Sequence, residues 1–269
     1  MTLQNTASPR DASRPVLILI HGATGNGQMW RPVRRGLDAR IEVLTPDLPG
    51  HGSRRAERFT MAGAVATVVA AAASVAPAPV FVGGDSLGGY TSMASAQALP
   101  RDRLKGLVLS GCTMNFEGRA MLPLYLRAAI FRLAFAVYGE DRLIRKVLPK
   151  KLPELGVTPE DLGPILDGGI SLKVWEQAVR ELHGVDYRAK LAAIAQPVLI
   201  LNGSKDDAMT AQEAEFLAVA RHARPHRFEG AGHGVSMLRS AEFAGLINEF
   251  IERTMASGSA PTGQPAPGR

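Results

Sequence analysis

The stretch VFVGGDSLGGYT, residues 80–91, sets a serine among glycines at the end of an apolar run. Val80, Phe81 and Val82 read as a buried strand, and the residues from Leu87 onward favour a helix. Gly84, Ser86 and Gly88 stand at G-x-S-x-G spacing, so the serine falls on the turn between strand and helix. A turn that tight strains the serine backbone and projects its hydroxyl from the sheet edge. Side chains two residues before and two after would meet neighbouring backbone, hence glycine at both places. The helix that follows aims its N-terminus at the same point and favours negative charge there.

Other short apolar runs flank this one. Residues 16–20, 41–45, 107–110 and 198–201 read as further buried strands, with 226–228 a weaker sixth. Helix-compatible segments 28–37, 60–75, 87–99, 211–221 and 241–255 lie among them. Continuous apolar strands separated by helices predict an α/β fold with a mostly parallel central sheet covered on both faces. The rhythm breaks between Leu107 and Val198, where the chain is too long for a structureless loop. The middle of that segment, 120–138, is nearly all apolar, interrupted by Arg127 and Arg132. The expectation is an inserted helical cap over 113–190, with the core in 14–112 and 191–256. Residues 1–13 read as a flexible N-terminus, and the Pro/Gly/Ser-rich tail 257–269 as disordered.

The chain of 269 residues carries a net charge of +6. Residues 119–151 hold eight Lys or Arg against Glu140 and Asp141 alone, so the whole excess sits in this segment. It reads either as a solvated face of the cap or as a basic entrance for anionic substrates. No nucleic-acid reading motif accompanies the charge, so no nucleic-acid partner is expected. The N-terminal residues hold no apolar run of signal-peptide type, and no stretch reaches the roughly 18 uncharged residues of a membrane span. Cys112, the single cysteine, reads as a small core residue. These features give the expectation of a soluble, cytoplasmic protein; oligomeric state is not readable. No His/Cys/carboxylate cluster has metal spacing, and no full P-loop or dinucleotide fingerprint is present, so neither metal nor cofactor is expected.

A serine hydroxyl is a poor nucleophile without a base, and the base needs an acid to orient it and offset its charge. Asn202-Gly203-Ser204-Lys205-Asp206-Asp207 follows one strand, and Glu229-Gly230-Ala231-Gly232-His233-Gly234 follows the last. Strand ends are where ligands meet parallel sheets. Asp206 and Asp207 compete as the acid, and the Gly203-x-x-Asp206 spacing favours Asp206. The Leu87 N–H is one candidate oxyanion donor. The Ala23 N–H, after the 16–20 strand, is the second, with Gly22 letting the backbone approach. His21 reads as shaping that loop, His51 as holding a tight turn, and Asp47 as a structural cap. His183, His222 and His226 read as surface or edge residues.

The segments HGATGNGQMW (21–30), TPDLPGHGSR (45–54), VGGDSLGG (82–89), LNGSKDD (201–207) and GAGHGVSM (230–237) occur in that order. With them the chain resembles the α/β-hydrolase superfamily, in its esterase, thioesterase and lyase-like branch, from about Arg14 to Met255. The resemblance implies Ser86 as nucleophile, Asp206 as acid, His233 as base, and Ala23 and Leu87 as oxyanion donors. It implies a serine hydrolase that cleaves an ester or thioester through an acyl-enzyme. The same triad also serves C–C bond or lactone hydrolysis, and the scaffold also serves non-hydrolytic ligand binding or cofactor-free oxygenation. The apolar cap suggests an apolar acyl or alkyl pocket, with Gly22, Tyr125 and Trp175 as candidate substrate contacts, although Trp30 and Trp175 also read as packing residues. The basic neighbours would suit an acidic head group.

Two departures stand out. Few residues precede the first strand, so the usual N-terminal hairpin is absent or shortened. Asp85 occupies the position before the serine, where the family often has His, Gln, Trp or Asn. It is expected either to pair with an Arg or to disturb the serine's electrostatics. Asp85 as the nucleophile itself is disfavoured, because Leu87 stands two residues on, where a small residue is needed.

Overall fold

The computed structural model describes residues 13–258. The flexible terminus expected at 1–13 and the tail expected at 257–269 lie almost wholly outside them. Ser257 and Gly258, assigned to that tail by composition, instead close the last helix.

Six strands form one sheet in the order β2-β1-β3-β4-β5-β6, and every neighbouring pair is parallel. They are β1 (Val16–Ile20), β2 (Glu42–Leu44), β3 (Val80–Asp85), β4 (Leu104–Ser110), β5 (Val198–Gly203) and β6 (Ala223–Phe228). No antiparallel strand precedes β1 among the described residues. The strands alternate their side chains between two apolar layers. Val16, Ile18, Ile20, Val82, Leu107, Leu109 and Ile200 face one, and Leu17, Leu19, Phe81, Val108 and Leu199 face the other. Burial on both faces is why these strands read as unbroken apolar runs. The edge strand β6 exposes Arg224, Pro225 and Arg227, and this polarity hid its first half from the sequence reading.

Helices α1 (Arg31–Gly36) and α2 (Met61–Ser74) follow β1 and β2, and α3 (Leu87–Ser95) follows β3 directly. The helix expected over 28–37 is two pieces, a 3-10 turn at Gly27–Trp30 and then α1. Pro32 lies in the first turn of α1, where its missing N–H costs nothing. Thr60 caps α2, its hydroxyl accepting from Gly63 N–H at 3.1 Å.

Between β4 and β5 lie α4 (Met121–Tyr138), α5 (Glu140–Lys151), α6 (Pro159–Asp167), α7 (Val174–Leu182) and α8 (Tyr187–Ala192). Helix α4 has the length and apolar composition to cross a membrane, with mean hydropathy 1.4, and only 11% of it is buried. Arg127 and Arg132 interrupt it. The residues joining β4 to α4 are not peripheral, since Met114 and Phe116 belong to the main apolar layer. The chain closes with α9 (Asp207–Val219), α10 (Val235–Leu238) and α11 (Ser240–Gly258).

Candidate active site

Ser86 sits between β3 and α3 with φ 54° and ψ −116°, a positive φ that a non-glycine residue rarely adopts. Such a conformation costs about 1–3 kcal/mol. The surrounding turn has no slack. A Cβ at Gly84 would stand 2.5 Å from both the Gly88 carbonyl carbon and the Ile20 carbonyl oxygen, and one at Gly88 would fall onto the Ile20 carbonyl. The two glycines let the start of α3 rest against the end of β1. Gly22 belongs to the same contact, since a Cβ there would lie 3.6 Å from Ser86 Cβ. No acceptor meets the N–H of Ala23 or of Leu87 among the described residues.

The loop holding that edge is built from buried imidazoles. Leu48 N–H donates to His21 Nε2 at 3.2 Å, so the His21 proton sits on Nδ1 and is shared with Gly22 O at 2.9 Å. Burial holds the His21 pKa below its ordinary value, so the ring stays neutral. His51 lies beside it, ring centroids 4.7 Å apart and planes tilted by 55°, and burial lowers its pKa to about 3. Asp47 accepts from Gly27 N–H, Ser53 N–H and the Ser53 hydroxyl, each at 2.8 Å. Both histidines and Asp47 are therefore scaffolding for the loop that carries Ala23.

Asp206 and His233 meet at the ends of β5 and β6. His233 Nδ1 lies 2.6 Å from Asp206 Oδ2. The two loops are stitched together by backbone bonds, Ser204 N–H to Phe228 O at 3.0 Å and Lys205 N–H to Ala231 O at 2.9 Å. Gly203 allows this approach, because a Cβ there would collide with the Ala231 and Gly232 carbonyls. Asp206 is buried, whereas Asp207 is exposed at the start of α9, so the structure brings Asp206 and not Asp207 to the histidine. Desolvation works to lower the His233 pKa, but the Asp206 hydrogen bond and the charges of Asp85 and Asp206 outweigh it, and the net shift is upward. The ring remains 46% exposed, open to a substrate. The Ser86 hydroxyl has no hydrogen bond to His233 among the described residues, so the serine–histidine link is not closed here.

Asp85 pairs with no arginine among the described residues. Its carboxylate accepts from Ser110 Oγ at 2.8 Å and Ser236 Oγ at 2.9 Å. It stands beside the base as well. A Cβ on Gly111 would lie 3.5 Å from Asp85 Oδ1 and 3.1 Å from His233 Cε1. Burial raises the Asp85 pKa, against the lowering pull of His233 and the two serines. Ser110 and Ser236 were not legible as site residues, because nothing in local spacing links them to Asp85.

Of the expected substrate contacts, Gly22 lies against the serine, whereas Tyr125 bonds His183 Nδ1 at 2.9 Å on the surface of α4. Trp175 packs edge-on to Phe131, and the Arg127 guanidinium lies over its ring at 5.1 Å. Trp175 and Phe131 line a cavity of about 250 Å³ together with Ala128, Phe135 and Leu172 and the charged Arg132, Lys173 and Glu176. Neither Ser86 nor His233 lines that cavity. Trp30 is a core residue of the α1/α11 layer, and Cys112 is a buried free thiol under Gly89.

The profile of the alpha/beta hydrolase family matches residues 17–246. The chain belongs to the alpha/beta hydrolase family. It is 28% identical over 251 residues to the pimeloyl-[acyl-carrier protein] methyl ester esterase of Xanthomonas campestris pv. campestris, covering 88% of this chain and 95% of that protein. It is 27% identical to the biotin biosynthesis bifunctional protein BioHC of Cellvibrio japonicus, and there it spans only 48% of the relative's length. It is also 28% identical to the magnesium-chelatase 30 kDa subunit of Rhodobacter capsulatus, covering 90% and 88% of the two chains. Among solved structures, E-2-(acetamidomethylene)succinate hydrolase superposes with a TM-score of 0.71 at 19% identity, covering 88% and 91% of the chains. MenH from S. aureus gives 0.72 at 18%, covering 90% and 95%. At those identities the superpositions speak for the fold alone.

Proposed function

We propose that this alpha/beta hydrolase is a serine esterase that releases an acid from an ester or thioester through an acyl-enzyme. The observation that carries the reading is the 2.6 Å His233–Asp206 hydrogen bond standing at the same sheet edge as a serine held at φ 54°. Chemically, His233 Nε2 takes the proton of Ser86 Oγ as the oxygen attacks the carbonyl, and Asp206 offsets the charge that forms on the imidazole. The oxyanion rests on the N–H groups of Ala23 and Leu87. The tetrahedral adduct collapses, His233 returns the proton to the leaving alcohol or thiol, and the acyl group remains on Ser86. Water then repeats the sequence and frees the acid.

In this reading residues 113–190 act as the cap, no cofactor takes part, and the enzyme works in the cytoplasm on small molecules. The apolar residues of the cap segment are the ground for expecting an apolar acyl or alkyl part, and its exposed Arg127 and Arg132 for expecting an acidic group on the substrate. The 28% identical relative, named for the methyl ester of a pimeloyl-[acyl-carrier protein], fits an ester with an extended acyl part.

The test is hydrolysis of 4-nitrophenyl esters from acetate to laurate and of monomethyl esters of dicarboxylic acids, on wild type and Ser86→Ala. Turnover that peaks at one chain length and disappears in the variant supports the reading. A KM for the acidic esters that rises with salt supports the basic entrance. A flat chain-length profile overturns the apolar pocket, and hydrolysis that survives Ser86→Ala overturns the acyl-enzyme.

A further inference from the structure

Helix α4 carries its apolar residues on the outside. Leu122, Leu126 and Leu133 are 72%, 63% and 68% exposed, and Ile130 and Val137 are exposed as well. At roughly 100° per residue these five fall in a single arc. Arg127 and Arg132 stand on the two shoulders of that arc, both exposed. The opposite side holds α4 to the protein through Met121 and Ala128, which are buried, and Phe131 against Trp175. Helix α5 follows α4 and packs against it. Its Leu143, Ile144 and Leu148 turn partly inward, while Arg142, Arg145, Lys146, Lys150 and Lys151 are exposed.

We propose that α4 and α5 form a docking surface for an anionic lipid bilayer, with α4 lying in the interfacial plane and the α5 cations over the headgroups. A contiguous apolar stripe of this size marks a contact surface on a water-facing protein. An apolar arc with basic shoulders is the pattern of a helix that lies in a membrane interface. The charge complements an anionic surface, since the chain's whole +6 excess falls in residues 119–151. Spanning is disfavoured because Arg127 and Arg132 would sit inside the hydrocarbon. A second copy is a poor occupant, because each copy would bring the same net-positive 119–151 segment to a two-fold contact. The inference stands apart from the esterase reading.

The experiment is co-sedimentation of the full chain with large vesicles of phosphatidylcholine alone, and of phosphatidylcholine and phosphatidylglycerol in equal parts. Two double variants are compared with wild type, Leu126→Glu with Leu133→Glu, and Arg145→Glu with Lys146→Glu. All four positions are exposed, and circular dichroism checks that each variant folds. Wild type is expected to bind the anionic vesicles, less so as salt rises. Each double variant is expected to bind about tenfold more weakly or worse. No binding to either vesicle overturns the proposal, as does binding indifferent to both variants. A concentration-dependent dimer that the leucine variant abolishes, without vesicle binding, assigns the face to a second copy and also overturns it. Because the readout is sedimentation, failure of the esterase reading would leave this result untouched.

Discussion

Ser236 donates its hydroxyl to Asp85 Oδ2 at 2.9 Å, which fastens the start of α10, just past His233, to the residue before Ser86. Ser110 holds the other oxygen from the end of β4. A carboxylate is thereby kept beside the base without a cationic partner of its own. His233 thus lies between two acids. Asp206 bonds its ring, and Asp85 acts on it through charge.

That arrangement predicts the effect of Asp85→Asn. The amide keeps polar atoms facing both serines but removes the negative charge, so the His233 pKa falls. Since the neutral imidazole is the working base, the acidic limb of kcat/KM moves to lower pH. The check is a pH–rate profile on a 4-nitrophenyl ester. An acidic limb that does not move would show that His233 does not sense Asp85.

The His233 pKa is raised above its ordinary 6.5, so wild-type activity should fall as pH drops through a value above 6.5. Asp206→Asn removes the largest of the raising interactions. It should shift the limb downward and lower kcat by about 10³–10⁴-fold, through loss of tautomer and charge control. Steady-state kinetics between pH 5 and 9 would measure both effects, the range spanning the usual titration of histidine.

The strain at Ser86 predicts a split between stability and activity. Ser86→Gly adopts φ 54° without steric cost, and the relief, less the extra freedom of the unfolded chain, should stabilise the fold by about 1 kcal/mol. Ser86→Ala retains the strain. Both variants should lose ester hydrolysis by at least about 10³-fold. Urea unfolding beside an activity assay separates the two quantities. A Ser86→Gly variant less stable than Ser86→Ala would refute the strain argument.

Asp161 offers a test far from the site. Its buried carboxylate takes Arg35 Nη1 at 2.8 Å and Nη2 at 2.6 Å, with Arg31 and Thr158 completing the set. The Arg35 hydrogen bond is the first cause of its pKa falling to about 2 from 3.8. A depressed carboxylate stabilises fully above the unfolded value, so this contribution should disappear as pH falls from 3.8 toward 2. Arg35→Ala leaves a buried charge with weaker partners and should cost about 1–3 kcal/mol at neutral pH, read from the urea midpoint. An unchanged midpoint would mean that Arg31 and Thr158 suffice.

Local sterics and periodicity were legible along the chain. Gly84, Ser86 and Gly88 announced the turn, because a tight strand-to-helix corner restricts the residues within it and nothing else. The buried strands announced themselves as unbroken apolar runs, because a sheet covered on both faces leaves no polar side. Candidate acids and bases could be named because they follow strand ends. Spacing from Gly203 already favoured Asp206 over Asp207, and the β5–β6 stitching supplies the physical reason, burying one carboxylate against His233 and leaving its neighbour in water. The partners of Asp85 lie 25 and 151 residues away, Ser110 brought beside it by the pairing of β3 with β4 and Ser236 by the fold-back of α10 after β6. The outward face of α4 was likewise hidden, since an apolar run states how much surface must leave water and not which side the protein covers. Short-range geometry is written in the residues that share it. Which distant groups meet depends on strand order and packing, and those exist only once the whole chain has folded.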